Sequence, residues 1–241
     1  MSLKICLDLY NYYICVMETS FTEENYIKAI FKLEELNQSK AVSTNDIAIK
    51  LFMQPASVTD MIKRLSEKKI VSYKKYHGVL LTVKGKKIAL TIIRKHRLWE
   101  VFLVKKLNFK WDEVHEIAEQ LEHINSNELV EKLDDFLGNP KFDPHGDAIP
   151  DKEGNMRVVN SIPLSAASKK QSYVFSGVSN HETKFLKYLT TLNLSLGNTI
   201  TIDSINDYDG SLKIAINNSK THEFLSEQVA SHILVHLKNG K

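Results

Sequence analysis

Two scarcities limit the classes of protein to which this chain can belong. It has only two cysteines in 241 residues, Cys6 and Cys15, so no disulfide framework is expected and a reducing cytoplasm is the expected location. No run of apolar residues approaches the roughly 18 that a membrane span requires. Residues 1–17 are apolar but carry Lys4 and Asp8 and lack a small-residue cleavage site. We therefore interpret them as an N-terminal extension and not as a signal peptide.

The net charge is small, but its distribution along the chain is uneven. The whole sequence carries a formal charge of +3. Residues 43–95 hold twelve Lys or Arg against three acids, a local +9, whereas residues 111–135 hold nine acids against one Lys, a local −8. The first stretch predicts a polyanionic partner, and the second predicts that the neighbouring section binds cations.

The basic stretch has the pattern of a winged helix-turn-helix. A first helix is predicted with Thr22 as its candidate N-cap, followed by a short helix at 47–52 and a helix opening at Pro55. The second helix of such a pair enters the DNA major groove. Two short strands around His77–Gly78 predict the wing. The predicted DNA contacts are Gln54, Ala56, Ser57, Thr59, Asp60, Lys63 and Arg64, with Lys74 and Lys75 on the wing. For Ser57 the alternative is that it only caps a helix.

Six imidazole or carboxylate side chains that could bind a cation lie in fewer than thirty positions, from His96 to His123. His96 and Glu100 are spaced i, i+4 on one predicted helix and share a face. A second helix is predicted after residues 108–110, with Asp112 and Glu113 in its first turn. On it His115, Glu119, Glu122 and His123 fall in one sector of about 100°. A donor set without thiolate favours Mn(II), Fe(II) or Zn(II). The alternative is that these carboxylates form only the solvated face of an amphipathic helix.

Short alternating runs dominate the chain from about residue 161 onward. The predicted strands contain residues 173–178, 199–205, 212–216 and 230–237, and a short helix is predicted at 182–192. Glycines separate several of these runs, as is typical of a small β-barrel.

Taken together, the helix-turn-helix with its wing and the pieces RKHRLWE, EVHEIAEQLEH and NPKFDPHGDAIP resemble the diphtheria toxin repressor family of metal-dependent transcriptional regulators, in its manganese-type branch. The resemblance runs from about residue 18 to the C-terminus. It implies a mainly α fold with a small β part, divided into an extension (1–17), a winged helix-turn-helix (18–88), a helical metal-binding and dimerisation domain (89–150), a linker (151–172) and an SH3-like, FeoA-like β-barrel (173–241).

The resemblance also implies two metal sites. His96, Glu100 and His115 match one family site, while Glu119, Glu122 and His123 match the other. The carboxylate of Glu119 stands where iron-responsive members have cysteine, which favours Mn(II). First-helix ligands of the family correspond to Asn25, a neutral amide, and to Lys28, which replaces a glutamate of some manganese members. The loop around His181 and Glu182 matches a barrel segment that lends ligands in three-domain members, although a solvent loop is the favoured interpretation of both residues.

We therefore predict a homodimeric repressor, without enzymatic activity or organic cofactor, that binds palindromic operators in double-stranded DNA. Mn(II), alternatively Fe(II), is the predicted activator, with Zn(II) a substitute in vitro. The alternatives are a metalloenzyme that uses His96, Glu100 and His115 as a catalytic site, and a scaffold that binds nucleic acid regardless of metal.

Overall fold

The structure is a computed structural model that describes residues 19–238, so the predicted extension with both cysteines lies outside the described residues. The helices are α1 (Phe21–Leu36), α2 (Thr44–Leu51), α3 (Pro55–Glu67), α4 (Val83–Leu107), α5 (His115–Leu121), α6 (Asn127–Phe136), α7 (Thr183–Thr191) and α8 (Glu227–Ser231). The strands are β1 (Val71–Lys74), β2 (Gly78–Leu81), β3 (Ile162–Pro163), β4 (Ser172–Val178), β5 (Thr199–Ile205), β6 (Leu212–Ile216), β7 (Glu223–Leu225) and β8 (Ile233–Leu237). In the part of the chain described, no helix is both long and apolar enough to cross a membrane.

The chain divides into two compact units, the first of which contains residues 19–96 of the part described, together with 119–131 and 150–155. The N-cap residue of its α1 is Ser20 and not the predicted Thr22. The Ser20 hydroxyl accepts from the Glu23 amide while the Glu23 carboxylate accepts from the Ser20 amide. This reciprocal pair satisfies two amide donors that a start at Thr22 would leave to solvent, so the earlier cap is favoured.

A helix-turn-helix and a hairpin follow α1, as the sequence predicts. Helix α2 begins three residues earlier than expected, because the Ser43 side chain caps it by accepting from the Asp46 amide. Helix α3 begins at Pro55, and Ile62 is among the core side chains that its inner face buries completely. Strands β1 and β2 pair antiparallel from Val71 opposite Leu81 to Lys74 opposite Gly78. The predicted wing is therefore present.

The acidic stretch folds differently from the single helix that was predicted around it. Residues 111–114 form turns, and α5 covers only seven residues from His115 to Leu121. The Glu113 carboxylate accepts from the Lys110 amide and the Glu113 amide donates to the Lys110 carbonyl. These two bonds close a turn where the first helical turn was expected. At the other end, Glu122 and His123 lie in a turn after the helix.

The second unit, which contains residues 97–118, 132–149 and 156–238, carries the predicted β domain. Its six strands lie in the order β3-β8-β4-β5-β6-β7, with antiparallel neighbours throughout. Phe175 and Ile202 are fully buried members of its core. Within residues 19–238 the edge strands β3 and β7 do not pair. Residues 230 and 231, predicted as strand, belong to α8, and β3 pairs with β8 inside the predicted linker.

Candidate metal centre

Helix α4 presents two of the predicted ligands. His96 and Glu100 are separated by one helical turn and are 6% and 2% exposed, respectively. The same helix buries Leu98 and Val101 completely or nearly so. An ionised carboxylate at this depth needs partners with positive charge or hydrogen-bond donors.

Two imidazoles supply such partners to Glu100. The Glu100 Oε1 atom lies 3.3 Å from His115 Nδ1 at the start of α5. The Glu100 Oε2 atom lies 3.5 Å from His145 Nδ1 in the segment that follows α6. Asp143 joins them, because ligand atoms of Glu100, Asp143 and His145 all lie within 4.8 Å of one another. We call Glu100, His115, Asp143 and His145 the Glu100 group; its donors are of the kind that could hold a divalent cation.

Asp143 and His145 were not predicted as site residues. They lie more than forty positions beyond Glu100, where helical periodicity carries no information. The only sequence signal is the density of ligand-type residues in FDPHGD, part of the NPKFDPHGDAIP piece that carries the family resemblance.

A network of short hydrogen bonds shapes this segment. The Asp143 Oδ1 atom accepts from the amides of His145 and Asp147 at 2.8 and 3.0 Å. Gly146, at φ +90°, packs so closely on β4 that an added Cβ would lie 2.1 Å from the carbonyl oxygen of Ser176. Only glycine fits both the backbone conformation and the space. The segment is thus fixed to the sheet, and His145 with it.

The carboxylates of the Glu100 group strengthen proton binding by His145. Burial acts to lower the pKa of His145, but its hydrogen bond to Glu100 and the charges of Glu100 and Asp143 raise that pKa to about 9. Burial, helped by the charges of Asp147 and Glu100, raises the pKa of Asp143 to about 7 against the opposing effect of His145 and Arg97. The group is therefore negatively charged enough to retain a proton on an imidazole above neutral pH.

The predicted loop residues His181 and Glu182 have different surroundings. The half-buried His181 ring lies 5.1 Å from the His145 ring and 6.4 Å from the His115 ring, measured between centroids. Its Nε2 atom lies 3.6 Å from Asp147 Oδ2. Glu182 is exposed and is the N-cap residue of α7. His181 is therefore beside the Glu100 group, whereas Glu182 lies at the surface.

The second predicted set, in the first unit, is held by internal pairs. His123 Nδ1 lies 2.6 Å from Glu24 Oε2, and both carboxylate oxygens of Glu122 accept from Lys28 Nζ at 2.7 Å. Glu122 Oε2 also lies 2.5 Å from His96 Nδ1. Asn25 is exposed on α1. Burial acts to raise the pKa of Glu122, but the hydrogen bond from His96 and the charge of Lys28 hold it below the ordinary value. We call Glu119, Glu122 and His123 the Glu122 group.

The predicted DNA-reading residues lie on the outer face of α3 and on the wing. Gln54 is the N-cap residue of α3, so Ser57 lies within the helix and does not cap it. Thr59 is half-buried, and its hydroxyl donates to the Pro55 carbonyl at 3.0 Å. Asp60 and Lys63 form an exposed pair at 3.3 Å. The exposed members of the predicted set are Gln54, Ala56, Ser57, Asp60, Lys63, Arg64, Lys74 and Lys75.

Three family models match the chain. Residues 18–79 match the iron dependent repressor N-terminal DNA binding domain, residues 82–151 match the iron dependent repressor metal binding and dimerisation domain, and residues 162–237 match the FeoA domain. The HTH-type transcriptional regulator MntR of Bacillus pumilus is 34% identical over 119 residues, which cover 49% of this chain and 81% of that protein. The chain belongs to the iron-dependent repressor and MntR family.

Other relatives agree with this assignment in part of their length. The iron-dependent repressor IdeR of Mycobacterium leprae is 32% identical over 129 residues, 54% of this chain and 55% of that protein. A probable metal transport system membrane protein of Chlamydia trachomatis is 45% identical over 74 residues, only 16% of its length. The chain thus spans about half or less of these two relatives. A solved structure described as a manganese-dependent transcriptional repressor complex with manganese covers 90% of this chain and 100% of its own, with a TM-score of 0.79 and 29% identity.

The family assignment confirms the predicted domain types: a DNA-binding domain, a helical metal-binding and dimerisation domain, and a C-terminal FeoA domain. It gives no support to the metalloenzyme alternative.

Proposed function

We propose that this chain is a metal-activated, homodimeric transcriptional repressor that acts in the cytoplasm on palindromic operators. Mn(II), or alternatively Fe(II), is the proposed activator, and Zn(II) is a substitute in vitro. The observation that carries the proposal is the position of α4. This helix begins directly after the wing and holds the buried Glu100 between two imidazoles. Along the chain, α4 thus follows the DNA-reading module directly and carries Glu100, a member of the group of cation ligands.

The donors of the Glu100 group fit a divalent cation of intermediate hardness. They are carboxylate oxygens and imidazole nitrogens, with no thiolate. His96, one turn earlier on α4, completes the predicted set. Its Nδ1 atom is hydrogen-bonded to Glu122, so Nε2 is the nitrogen that the proposal assigns to the ion. A carboxylate behind a ligating imidazole fixes the ring orientation and makes the ring a better donor. Glu122 is therefore proposed to position His96.

A bound cation would supply the positive charge that the Glu100 group now obtains from protonated imidazole. His115 and His145 would then hold the ion as neutral ligands, and α4, α5 and the segment around residue 145 would be fixed to one another through it. If the DNA-binding conformation holds the ion more tightly, the ion shifts the population toward that conformation, and DNA tightens ion binding by the same factor.

The DNA face fits recognition of a duplex. Short polar or methyl side chains, Gln54, Ala56 and Ser57, stand at the exposed N-terminal end of α3, which is the end that contacts base edges in helix-turn-helix proteins. Exposed Lys63, Arg64, Lys74 and Lys75 supply the charge for phosphate contacts. In a dimer, two such helices about 34 Å apart would enter successive major grooves of a palindrome.

The proposal is tested by DNA binding with and without metal. A random duplex library is selected on the full chain in Mn(II), and the affinity for the selected duplex is measured by fluorescence anisotropy in Mn(II) and in EDTA. We expect the wild-type protein to bind the duplex tightly only in Mn(II). We expect Glu100→Gln to bind it with the same weak affinity in Mn(II) and in EDTA.

Glu116→Gln is the matched control, because Glu116 is an exposed glutamate beside His115; it should behave as wild type. Equal affinity in Mn(II) and EDTA for the wild-type protein would contradict the proposed function and would favour a metal-independent scaffold.

A further inference from the structure

Lys28 places a buried ammonium against carboxylates that were predicted to bind metal. Its Nζ atom lies 2.7 Å from each carboxylate oxygen of Glu122 and 3.5 Å from Glu119 Oε1. The Lys28 side chain is 8% exposed, and the Glu122 side chain is fully buried. A symmetric contact of one ammonium with both oxygens of a carboxylate is the arrangement that a chelated cation would have.

The ammonium and a divalent ion would compete for this carboxylate. An ion bound to Glu122 would stand about 2.0–2.2 Å from a carboxylate oxygen, whereas Nζ already lies 2.7 Å from both oxygens. The two cations would then be at most about 5 Å apart, in a buried environment where repulsion between like charges is screened poorly.

Other protein groups also occupy the ligand atoms of the Glu122 group. Glu122 contacts His96 in addition to Lys28, and His123 pairs with Glu24. The Phe21 ring stacks on the His123 ring at a centroid distance of 4.7 Å. The ligand atoms that would have to converge on an ion are thus held by protein partners, and the positive charge at their centre is already present.

We infer that Lys28 is the resident cation of the Glu119–Glu122 pair and takes the place of a divalent ion there. The chain then binds one ion fewer than its two ligand groups suggest, and its metal response is confined to the Glu100 group. The inference rests on the proposed function only for the choice of ion. Sequence comparison pointed to Lys28 as a substitution, but only its contacts indicate what the substitution does.

The test counts Mn(II) ions bound to the dialysed full chain, by equilibrium dialysis and elemental analysis. We expect Lys28→Met to bind one Mn(II) more per chain than wild type, because the carboxylates lose their internal cation. Lys28→Arg keeps the charge and should gain none. Lys40→Met removes an exposed lysine and serves as the control. Adding Glu119→Gln to Lys28→Met should remove the extra ion.

A second measurement does not depend on the fold of Lys28→Met. Glu119 is half-exposed, at 51% of its side chain, so Glu119→Gln in the wild-type background should fold. We expect it to leave the number of bound Mn(II) ions unchanged.

Two results would overturn the inference: loss of one bound Mn(II) in Glu119→Gln alone, or an unchanged count in folded Lys28→Met. These outcomes are separate from failure of the proposed function, which is read from the dependence of DNA binding on Mn(II) and on Glu100.

Discussion

Replacing Glu100 by glutamine should change the proton affinity of His145 in the metal-free protein. Glu100 Oε2 lies 3.5 Å from His145 Nδ1, and both side chains are almost completely buried. Burial alone would lower the pKa of His145, but Glu100 and Asp143 raise it to about 9. Glutamine keeps the shape of the side chain but removes its charge, so the lowering effect of burial is opposed less. The pKa of His145 should therefore fall by roughly one to two pH units.

The same interaction predicts a dependence of stability on pH. A rise in the pKa of His145 from 6.5 to about 9 corresponds to roughly 3 kcal/mol, at about 1.4 kcal/mol for each unit. The folded protein binds this proton more tightly than the unfolded chain does. The stabilisation is therefore complete below pH 6.5 and is lost as the pH rises through about 9. In Glu100→Gln, the contribution of His145 to this decline should shrink by roughly 1–3 kcal/mol, at about 1.4 kcal/mol for each unit of pKa lost.

Two measurements check this prediction in the presence of EDTA. Titration of 13C-labelled histidine by NMR gives the pKa of His145, whose signal is assigned by its loss in His145→Gln. Urea unfolding followed by circular dichroism gives the change in unfolding free energy between pH 6.5 and pH 9. Glu116→Gln again serves as the control. A His145 signal that titrates near 6.5 in the wild-type protein, or at the same pH in wild type and Glu100→Gln, would refute the reasoning.

Three further predictions follow from the fold. Glu23→Gln removes a buried carboxylate; burial acts to raise its pKa, but a neighbouring lysine and the Ser20 amide hold the pKa below the ordinary value. In urea titrations the wild-type protein should be more stable than Glu23→Gln by roughly 1 kcal/mol above pH 4.5. This difference should disappear as the pH falls further. Gly146→Ala should lower the thermal midpoint much more than Gly138→Ala, because both glycines have positive φ but only the first would bring a Cβ against β4; equal losses would contradict the packing argument. Lys75→Ala should weaken DNA binding uniformly across sequences and lower the salt slope by about 0.9, and an unchanged slope would exclude a phosphate contact.

The sequence predicted what depends on local pattern. The wing and the exposed face of α3 follow from strand alternation and from Pro55 at the first position of the helix. The pairing of His96 with Glu100 on one face follows from helical spacing. Each of these features depends on residues only a few positions apart, so it can be predicted from the sequence.

The remaining features depend on contacts between distant residues. His145 comes to Glu100 because Gly146 packs on β4, and no periodic pattern connects those positions. The predicted helix over residues 111–123 was shortened by the turn that Glu113 closes on Lys110. Lys28 was recognised as a substitution, but its contact with Glu122 spans 94 positions and required coordinates.

The contact between Trp111 and His145 has a practical consequence. The Trp111 carbonyl oxygen lies 2.8 Å from His145 Nε2, and the indole ring is stacked on the imidazole with a centroid distance of 6.0 Å. A charged imidazolium quenches the emission of an adjacent indole, whereas a neutral ring does so much less. Exchange of the His145 proton for a metal ion should therefore change the emission of Trp111, so that occupancy can be followed by intrinsic fluorescence in the unlabelled protein.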